Sequence, residues 1–443
     1  MGRKSEVPLF CCSMSTRAAV SLSCLILALG GCDGGGVTPG VDAGPPAPGE
    51  DAGPVIPPTG PTYYGQIRPL IVDNCSMCHT PEGIAPFSLE TYEQAFEVGE
   101  RMMEVTHDRI MPPFLADASG DCQTFANDRT LTDDEIAMIA RWVETGMQEG
   151  DPMTPMPEAP PLLRLPRTDL TLQMPDTYNV DTSENDDYRC FVVEMDTTEN
   201  TFVTGYEVMP GNTQRVHHVI VYNPVDEAAA QEARDLDTAE GGTGTGYTCF
   251  GGPRVSAPPM VLWAPGAGAT TFPRGTGVQL EAGRAQVVQV HYNNLVLDGV
   301  PETDRTSIEL MTSSTASQAY LVPFTHGGIE LPPRMESVTQ STTQSLSMLP
   351  VPLRAWGMFP HMHTLGRQLR VELEGATNEC LIDVPRWDFN WQLAYWFDNP
   401  VRVSPSDSIS ISCTYNTMER DETVRWGDGT QDEMCLSFVY LTL

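Results

Sequence analysis

Eight histidines among 443 residues are few, so their positions are informative. The stretch "FPHMHTLGR" places His361 and His363 one residue apart. Strand side chains alternate with period two, so a strand would project both imidazoles from one face as two ligands for one metal ion. "RVHHVIVYN" supplies His217 and His218, and "VVQVHYNN" supplies His291. Imidazole suits copper, zinc and iron. One histidine is well explained as a hydrogen-bonded structural residue; five gathered in strand-like contexts point to metal binding. His326, in the Gly/Pro setting "PFTHGGIELPP", reads as a loop residue. His217 and His218 are neighbours and would face opposite ways in a regular strand. Both serve one ion only if the strand ends or bulges there.

A second chemistry sits in "NCSMCHT". Cys75-x-x-Cys78-His79 has the spacing for two thioether bonds to haem vinyl groups, with the adjacent imidazole as one axial ligand. The other axial ligand is expected from later in the same region. Met111 in "RIMPPF" is the favoured candidate, held by the prolines that follow it, and His107 is its rival. This predicts one covalently attached haem c.

These residues need two kinds of scaffold. Residues 62–150 read as a small all-α domain. In "TDDEIAMIARWVETG", Thr132 and Glu135 form a capping box, Ile136, Ile139, Ala140 and Val143 fall on one helical face, and Gly146 stands at the C-cap. From about residue 163 the texture changes to short β-rich runs such as "NTFVTGYEVM", "SISISCTYN" and "LSFVYLTL", punctuated by Pro, Gly, Asn and Asp. That is the pattern of antiparallel β-sandwiches. The expected fold is therefore multidomain, an all-α domain followed by all-β sandwiches.

Residues 1–32 read as a leader. Arg3, Lys4 and Arg17 precede "AAVSLSCLILALGGC", whose end resembles a bacterial lipobox with Cys32 lipidated. Met14 is a second candidate start, and an ordinary signal peptide is the simpler alternative. Residues 33–61 are rich in Gly, Pro, Asp and Ala and read as an extended tether. The expectation is an exported lipoprotein facing the periplasm or cell surface, touching membrane through its anchor alone. A net charge of −34 and a pI near 4.4 repel phosphate backbones, which excludes nucleic acid as a natural partner.

The helical region resembles a family of bacterial cytochrome c domains through "CSMCH", "IAPFSLETYE", "RIMPPF" and "FANDRTLTDDEIAMIARWVETG". Residues 165–443 resemble the copper type II, ascorbate-dependent monooxygenase family. The motifs "VHHVIVYN", "QVHYNN", "HMHTLGR" and "DEMC" occur in the family's order. The resemblance implies two β-sandwiches, here 163–319 and 320–443, and two copper ions. His217, His218 and His291 would hold the electron-transferring ion; His361, His363 and Met434 would hold the ion that meets O2. A thioether ligand favours the reduced ion. The same resemblance pairs Cys190 with Cys249 and Cys413 with Cys435. Cys122 and Cys380 remain, as a bridge between domains or as two separate thiols. Gln289 and Tyr188 match the family as well.

The resemblance fails at one place. Peptide-amidating members carry an Arg, an Asn and a Tyr that hold a substrate carboxylate; here those positions are Phe359, Leu436 and Phe438. A guanidinium pairs bidentately with a carboxylate, and these side chains cannot. The implied function is hydroxylation of a C–H bond in a more apolar small organic substrate by O2. Electrons would arrive from a periplasmic donor through the haem, or from an ascorbate-like reductant. The rival function is a non-catalytic haem/copper electron-transfer or copper-binding lipoprotein.

Overall fold

The computed structural model describes residues 60–81, 85–155, 164–241, 244–294, 301–376 and 378–443. The leader, Cys32 and nearly all of the expected tether lie outside the described residues. Among the described residues, no helix is long and apolar enough to cross a membrane.

The N-terminal described part is helical. A π-turn, Tyr63–Ile67, runs into helix Arg68–Asn74, and helices Tyr92–Glu97, Gly99–His107 and Asp133–Glu144 follow. The last starts where Thr132 accepts from the Glu135 amide and Glu135 reaches back to the Thr132 amide. Ile139 and Trp142 are buried against Tyr63, Ile67, Leu70 and Met102. The expected helical stretch is interrupted between residues 108 and 132. Consecutive prolines at 112 and 113 remove two amide donors, which no helix interior tolerates. This segment instead straps onto the β structure. Phe114, Leu115 and Phe125 sit in the core of the second sandwich, with Phe114 and Phe125 edge-on to Tyr395 at 5.0 and 5.7 Å. The Asp117 amide donates to the Asp383 carbonyl (2.8 Å) and the Ala126 amide to the Trp396 carbonyl (2.8 Å). Each buried Phe contributes about 1.5–3 kcal/mol of transfer free energy. A Cys122–Cys380 disulfide closes the attachment.

The β part is built on one long sheet that runs through both sandwiches. Its order is Leu170–Gln173, Ser307–Ser313, Thr201–Met209, Thr276–Leu280, Ser317–Thr325, Leu436–Thr442, Leu353–His361 and Tyr395–Val403. A five-stranded sheet ordered Tyr247–Thr248, Asp186–Val193, Gln286–Asn293, Val216–Tyr222 and Pro259–Trp263 accompanies its first half. A four-stranded sheet ordered Val338–Ser345, Ser408–Tyr415, Gly366–Glu374 and Glu379–Val384 accompanies its second. Alternating burial along Ser408–Tyr415 shows why the sequence takes this form, with one face inward and one outward. The expected division at 319/320 falls inside one strand. Ser317 and Gln318 pair in parallel with Thr276 and Gly277, while Ala319 to Thr325 pair with Leu436 to Thr442. Across the same junction Tyr440 from the second half packs into the core of the first and shares a buried hydrogen bond with Thr276 (2.9 Å).

The Cys122–Cys380 bridge closes a chain segment of 258 residues, so replacing both cysteines by Ser is expected to destabilise the strap by about 2–4 kcal/mol. Limited proteolysis of the double variant should cut within residues 112–129 before the sandwiches. Wild-type resistance there would refute the strap's dependence on the bridge.

Candidate metal centre

His218 and His291 stand opposite each other on paired strands, and the register shifts at His291/Tyr292 so that Tyr292 opposes Val216. His217 is the residue left over, so the strand bulges there and adjacent histidines can turn the same way. The side-chain nitrogens of His217, His218 and His291 lie within 4.8 Å of one another. His361 ends its strand and His363 lies beyond it, so the two do not share a strand face as the spacing suggested. The chain just past the strand's end still holds the two rings together, with centroids 5.1 Å apart. Met434 lines the same cavity as His218, His361 and His363. The His218 and His361 rings are 6.3 Å apart, so the two ligand sets face each other across one cleft.

Hydrogen bonds decide which nitrogen each imidazole presents. His291 Nε2 donates to Asp186 Oδ1 (2.9 Å), leaving Nδ1 as the lone-pair nitrogen, 3.3 Å from His218 Nδ1. His217 Nδ1 is buried with no hydrogen-bond partner. Three convergent imidazoles, one with an orphaned nitrogen, fit a metal ion. The second set presents the opposite nitrogen. His361 Nδ1 is tied to Gln392 Oε1 (2.6 Å) and His363 Nδ1 to the Asp432 carbonyl (3.2 Å), which frees Nε2 in both. Behind them the Glu433 carboxylate accepts from the amides of His363 (3.1 Å), Leu365 (2.6 Å) and Met434 (3.2 Å). One buried side chain therefore fixes the backbone on both sides of the cleft's second ligand set.

All five imidazoles are held neutral. Burial, then the neighbouring imidazoles, lowers His217 to about 4 and His361 to about 3. Burial lowers His363 to about 4, and burial with nearby imidazoles takes His218 and His291 well below the usual range. Neutral imidazole is the form that binds metal. Tyr188 stacks on His291 at 4.0 Å and Phe389 on His217 at 4.4 Å.

The shared cavity measures about 320 Å3. Phe359, Leu436 and Phe438 line it together with Leu262, Leu393 and Asp428. No Arg or Lys is among its lining residues. Gln289 lines it too, donating to the Cys249 carbonyl (2.9 Å) beside the Cys190–Cys249 disulfide. Cys413–Cys435 braces the Met434 segment. His326 stays outside both ligand sets, its amide bonded to the Cys435 carbonyl (2.9 Å).

In the helical region Cys75 and Cys78 are unpaired thiols. The amides of Cys78 and His79 both bond to the Cys75 carbonyl. His79 Nδ1 lies 3.1 Å from the Phe87 carbonyl, leaving Nε2 as the nitrogen available to iron. Burial pushes the Cys75 thiol up to about 12. His107 is an exposed surface residue bonded to Asp108, whereas Met111 lines a cavity of about 680 Å3 with Thr106, Leu131 and Ile136. The Cys75–Cys78–His79 turn presents two thiols and one ring nitrogen, the donor set that a haem c attachment uses, while the cavity lined by Met111 is not lined by these three residues.

Asp186, Glu433, Gln392 and Phe389 were not legible as functional from the sequence. Glu433 sits inside the motif "DEMC" beside Met434, so an acid next to a ligand was the available signal there, whereas Asp186 lies in "DDYRC", four residues before Cys190, with no ligand adjacent in sequence. Gln392 and Phe389 carry none.

A model described as the N-terminal domain of copper type II ascorbate-dependent monooxygenases matches residues 171–298, and the C-terminal domain model matches 318–441. Tyramine beta-hydroxylase of Caenorhabditis briggsae is 26% identical over 287 residues, covering 59% of this chain and 46% of that protein. Dopamine beta-hydroxylase of Bos taurus is 26% identical over 320 residues, covering 67% and 50%. Its Homo sapiens counterpart is 27% identical over 284 residues, covering 58% and 44%. The chain spans about half the length of the curated relatives it matches.

Asp186→Ala should weaken copper binding by the first histidine set about 10–100-fold, read by titration with electron paramagnetic resonance; unchanged affinity would show that the carboxylate does not orient His291. A pH dependence follows as well. The ordinary histidine value is near 6.5, so between there and about 4 the unfolded metal-free chain binds protons that the folded chain refuses. Stability therefore falls on acidification through that window. Glu433, raised to about 7 by burial, works the other way, one group against five. Urea midpoints of the metal-free protein should drop between about pH 6.5 and 4, and more steeply in Glu433→Gln; a flat profile would contradict the burial of neutral imidazoles.

Proposed function

Because this chain belongs to the copper type II, ascorbate-dependent monooxygenase family, whose domain matches together span more than half of it, we propose that it hydroxylates a C–H bond of a small, largely apolar molecule with O2. The observation that carries the reading is the convergence of five neutral imidazoles and Met434 on one cleft. His217, His218 and His291 would hold one copper ion and His361, His363 and Met434 the other. Bound copper supplies one-electron transfer and O2 chemistry, with the thioether favouring the reduced ion. The chain's own residues orient and exclude. Asp186, Gln392 and the Asp432 carbonyl fix the ring tautomers, and Phe359, Leu393, Leu436 and Phe438 give the substrate an apolar wall. With no guanidinium in the cavity, a carboxylate-ended substrate has no anchor. Asp428, whose carboxylate has no hydrogen bond or ion pair among the described residues, would meet a cationic amine. Amines figure in the names of the relatives, and that chemistry suits an apolar cavity with one acid.

We further read residues 62–150 as a c-type cytochrome domain, with Cys75 and Cys78 as thioether attachments and His79 and Met111 as axial ligands. Electrons would then come from a periplasmic donor through haem, with an ascorbate-like reductant as the alternative source. Three disulfides support an oxidising compartment, in line with export.

Copper-loaded protein supplied with reductant should consume O2 in step with hydroxylated product from a panel of apolar and aromatic amines. His361→Ala should abolish product while leaving the fold intact by circular dichroism. Two bound coppers without O2-dependent product from any such compound would favour the non-catalytic alternative.

A further inference from the structure

The loop between strands Glu379–Val384 and Tyr395–Val403 touches the helical region and both histidine sets. At its start the Arg386 guanidinium donates to the carbonyls of Asp108 (3.0 Å) and Arg109 (2.5 Å). Trp387 Nε1 donates to the His363 carbonyl (3.2 Å). Phe389 stacks on His217 at 4.4 Å, nearly parallel at 19°, and lies edge-on to His363 at 6.2 Å. Gln392 holds His361. Phe389, Trp387 and Trp391 also line a cavity of about 620 Å3 that Ile110 and Leu115 of the helical region's strap line as well.

The strap reaches this loop through a second set of contacts. The Arg129 guanidinium lies within electrostatic range of Cys78, whose thiol burial nonetheless pushes up. Arg129 in turn donates to the carbonyls of Pro113 (2.8 Å) and Gly266 (3.0 Å). Gly266 packs directly against the Trp391 indole, since a Cβ there would lie 2.8 Å from a ring carbon. Arg129 and Gly266 therefore tie the strap to Trp391, and Trp391 shares a cavity wall with Phe389, which stacks on His217.

We propose that this loop is the electron bridge between the Cys75–Cys78–His79 centre and the first histidine set, with Phe389 as the residue that couples His217 to it. The inference rests on the reading of residues 62–150 as a haem c domain. The step moves one electron, lost by the haem iron and gained by the copper held by His217, His218 and His291; no proton or bond changes hands, and two such transfers serve one turnover. Coupling across a protein decays steeply wherever packed atoms give way to a gap. Phe389 is the loop's aromatic ring in direct contact with His217, so it acts by position and is not itself oxidised.

The test uses full-length protein carrying haem and copper. Haem is reduced by an anaerobic flash with a photoreductant, and its reoxidation is followed optically alongside loss of the Cu(II) resonance. Phe389→Ala is expected to slow haem-to-copper transfer roughly tenfold or more, and to slow it more than direct copper reduction by ascorbate. Phe389→Trp should restore most of the rate. If Phe389→Ala folds poorly, Phe389→Leu provides the smaller lesion, with slowing in the same direction. Wild-type transfer rates in a haem-loaded, copper-loaded Phe389→Ala or Phe389→Leu protein would overturn the bridge and leave the haem reading standing. Absence of a thioether-type haem spectrum from protein matured with a cytochrome c assembly system would overturn the haem reading and the bridge with it.

Discussion

The structure depends on keeping five imidazoles neutral at the seam of two sandwiches. An imidazole surrounded by protein and by other imidazoles resists a proton, and a neutral ring must place its one N–H and its one lone pair. The fold provides separate answers at each end of the cleft. In the first set a carboxylate takes the Nε2 proton of His291, turning Nδ1 inward. In the second, a side-chain amide and a backbone carbonyl take the Nδ1 protons, turning Nε2 inward. Asp186 also accepts from the amide (3.1 Å) and hydroxyl (2.5 Å) of Thr430, which belongs to the loop leading to Met434. The group that orients a ligand of one set therefore also docks the segment that carries the other.

That arrangement is possible because the halves are continuous. A two-residue parallel pairing joins their long sheets into one, and Tyr440 buries across the junction. The helical region joins as a third body, with aromatic side chains from its strap lying in the core of the second sandwich. The acidic surface plays no part in this. The contacts that unite the chain are apolar packing, short backbone pairings, side-chain hydrogen bonds such as those of Arg386, Arg129 and Asp186, and one long-range disulfide.

Much of this was legible in the sequence, for local reasons. Strand periodicity marks "SISISCTYN" and "LSFVYLTL", and a capping box marks Asp133–Glu144. The adjacency of His217 and His218 raises the need for a bulge, which the register shift opposite His291 supplies. Misread features were those settled by distant partners. Residues 108–132 look like part of a helical domain until Tyr395 and Cys380 are seen waiting for them. His363 follows the end of its strand because Glu433, 70 residues later, captures its amide. Phe389 is one aromatic among many in the sequence, and only the fold shows that it rests on His217.

The span of the Cys122–Cys380 bridge also bears on how the molecule is made. In a chain exported from its N-terminus, Cys75, Cys78 and Cys122 precede Cys190 and Cys249, and Cys380 arrives only 258 residues after Cys122. Throughout that interval Cys122 is a thiol in an oxidising space with the wrong partners nearest to it in sequence. The pairs Cys190–Cys249 and Cys413–Cys435 close short segments of 59 and 22 residues and can form as soon as their strands meet. The strap can be fastened only once the second sandwich is nearly complete, so the helical region must keep its own two cysteines out of reach of Cys122 until then. Biogenesis of this protein is therefore a problem of timing, in which an early thiol, Cys122, waits for one of the later ones.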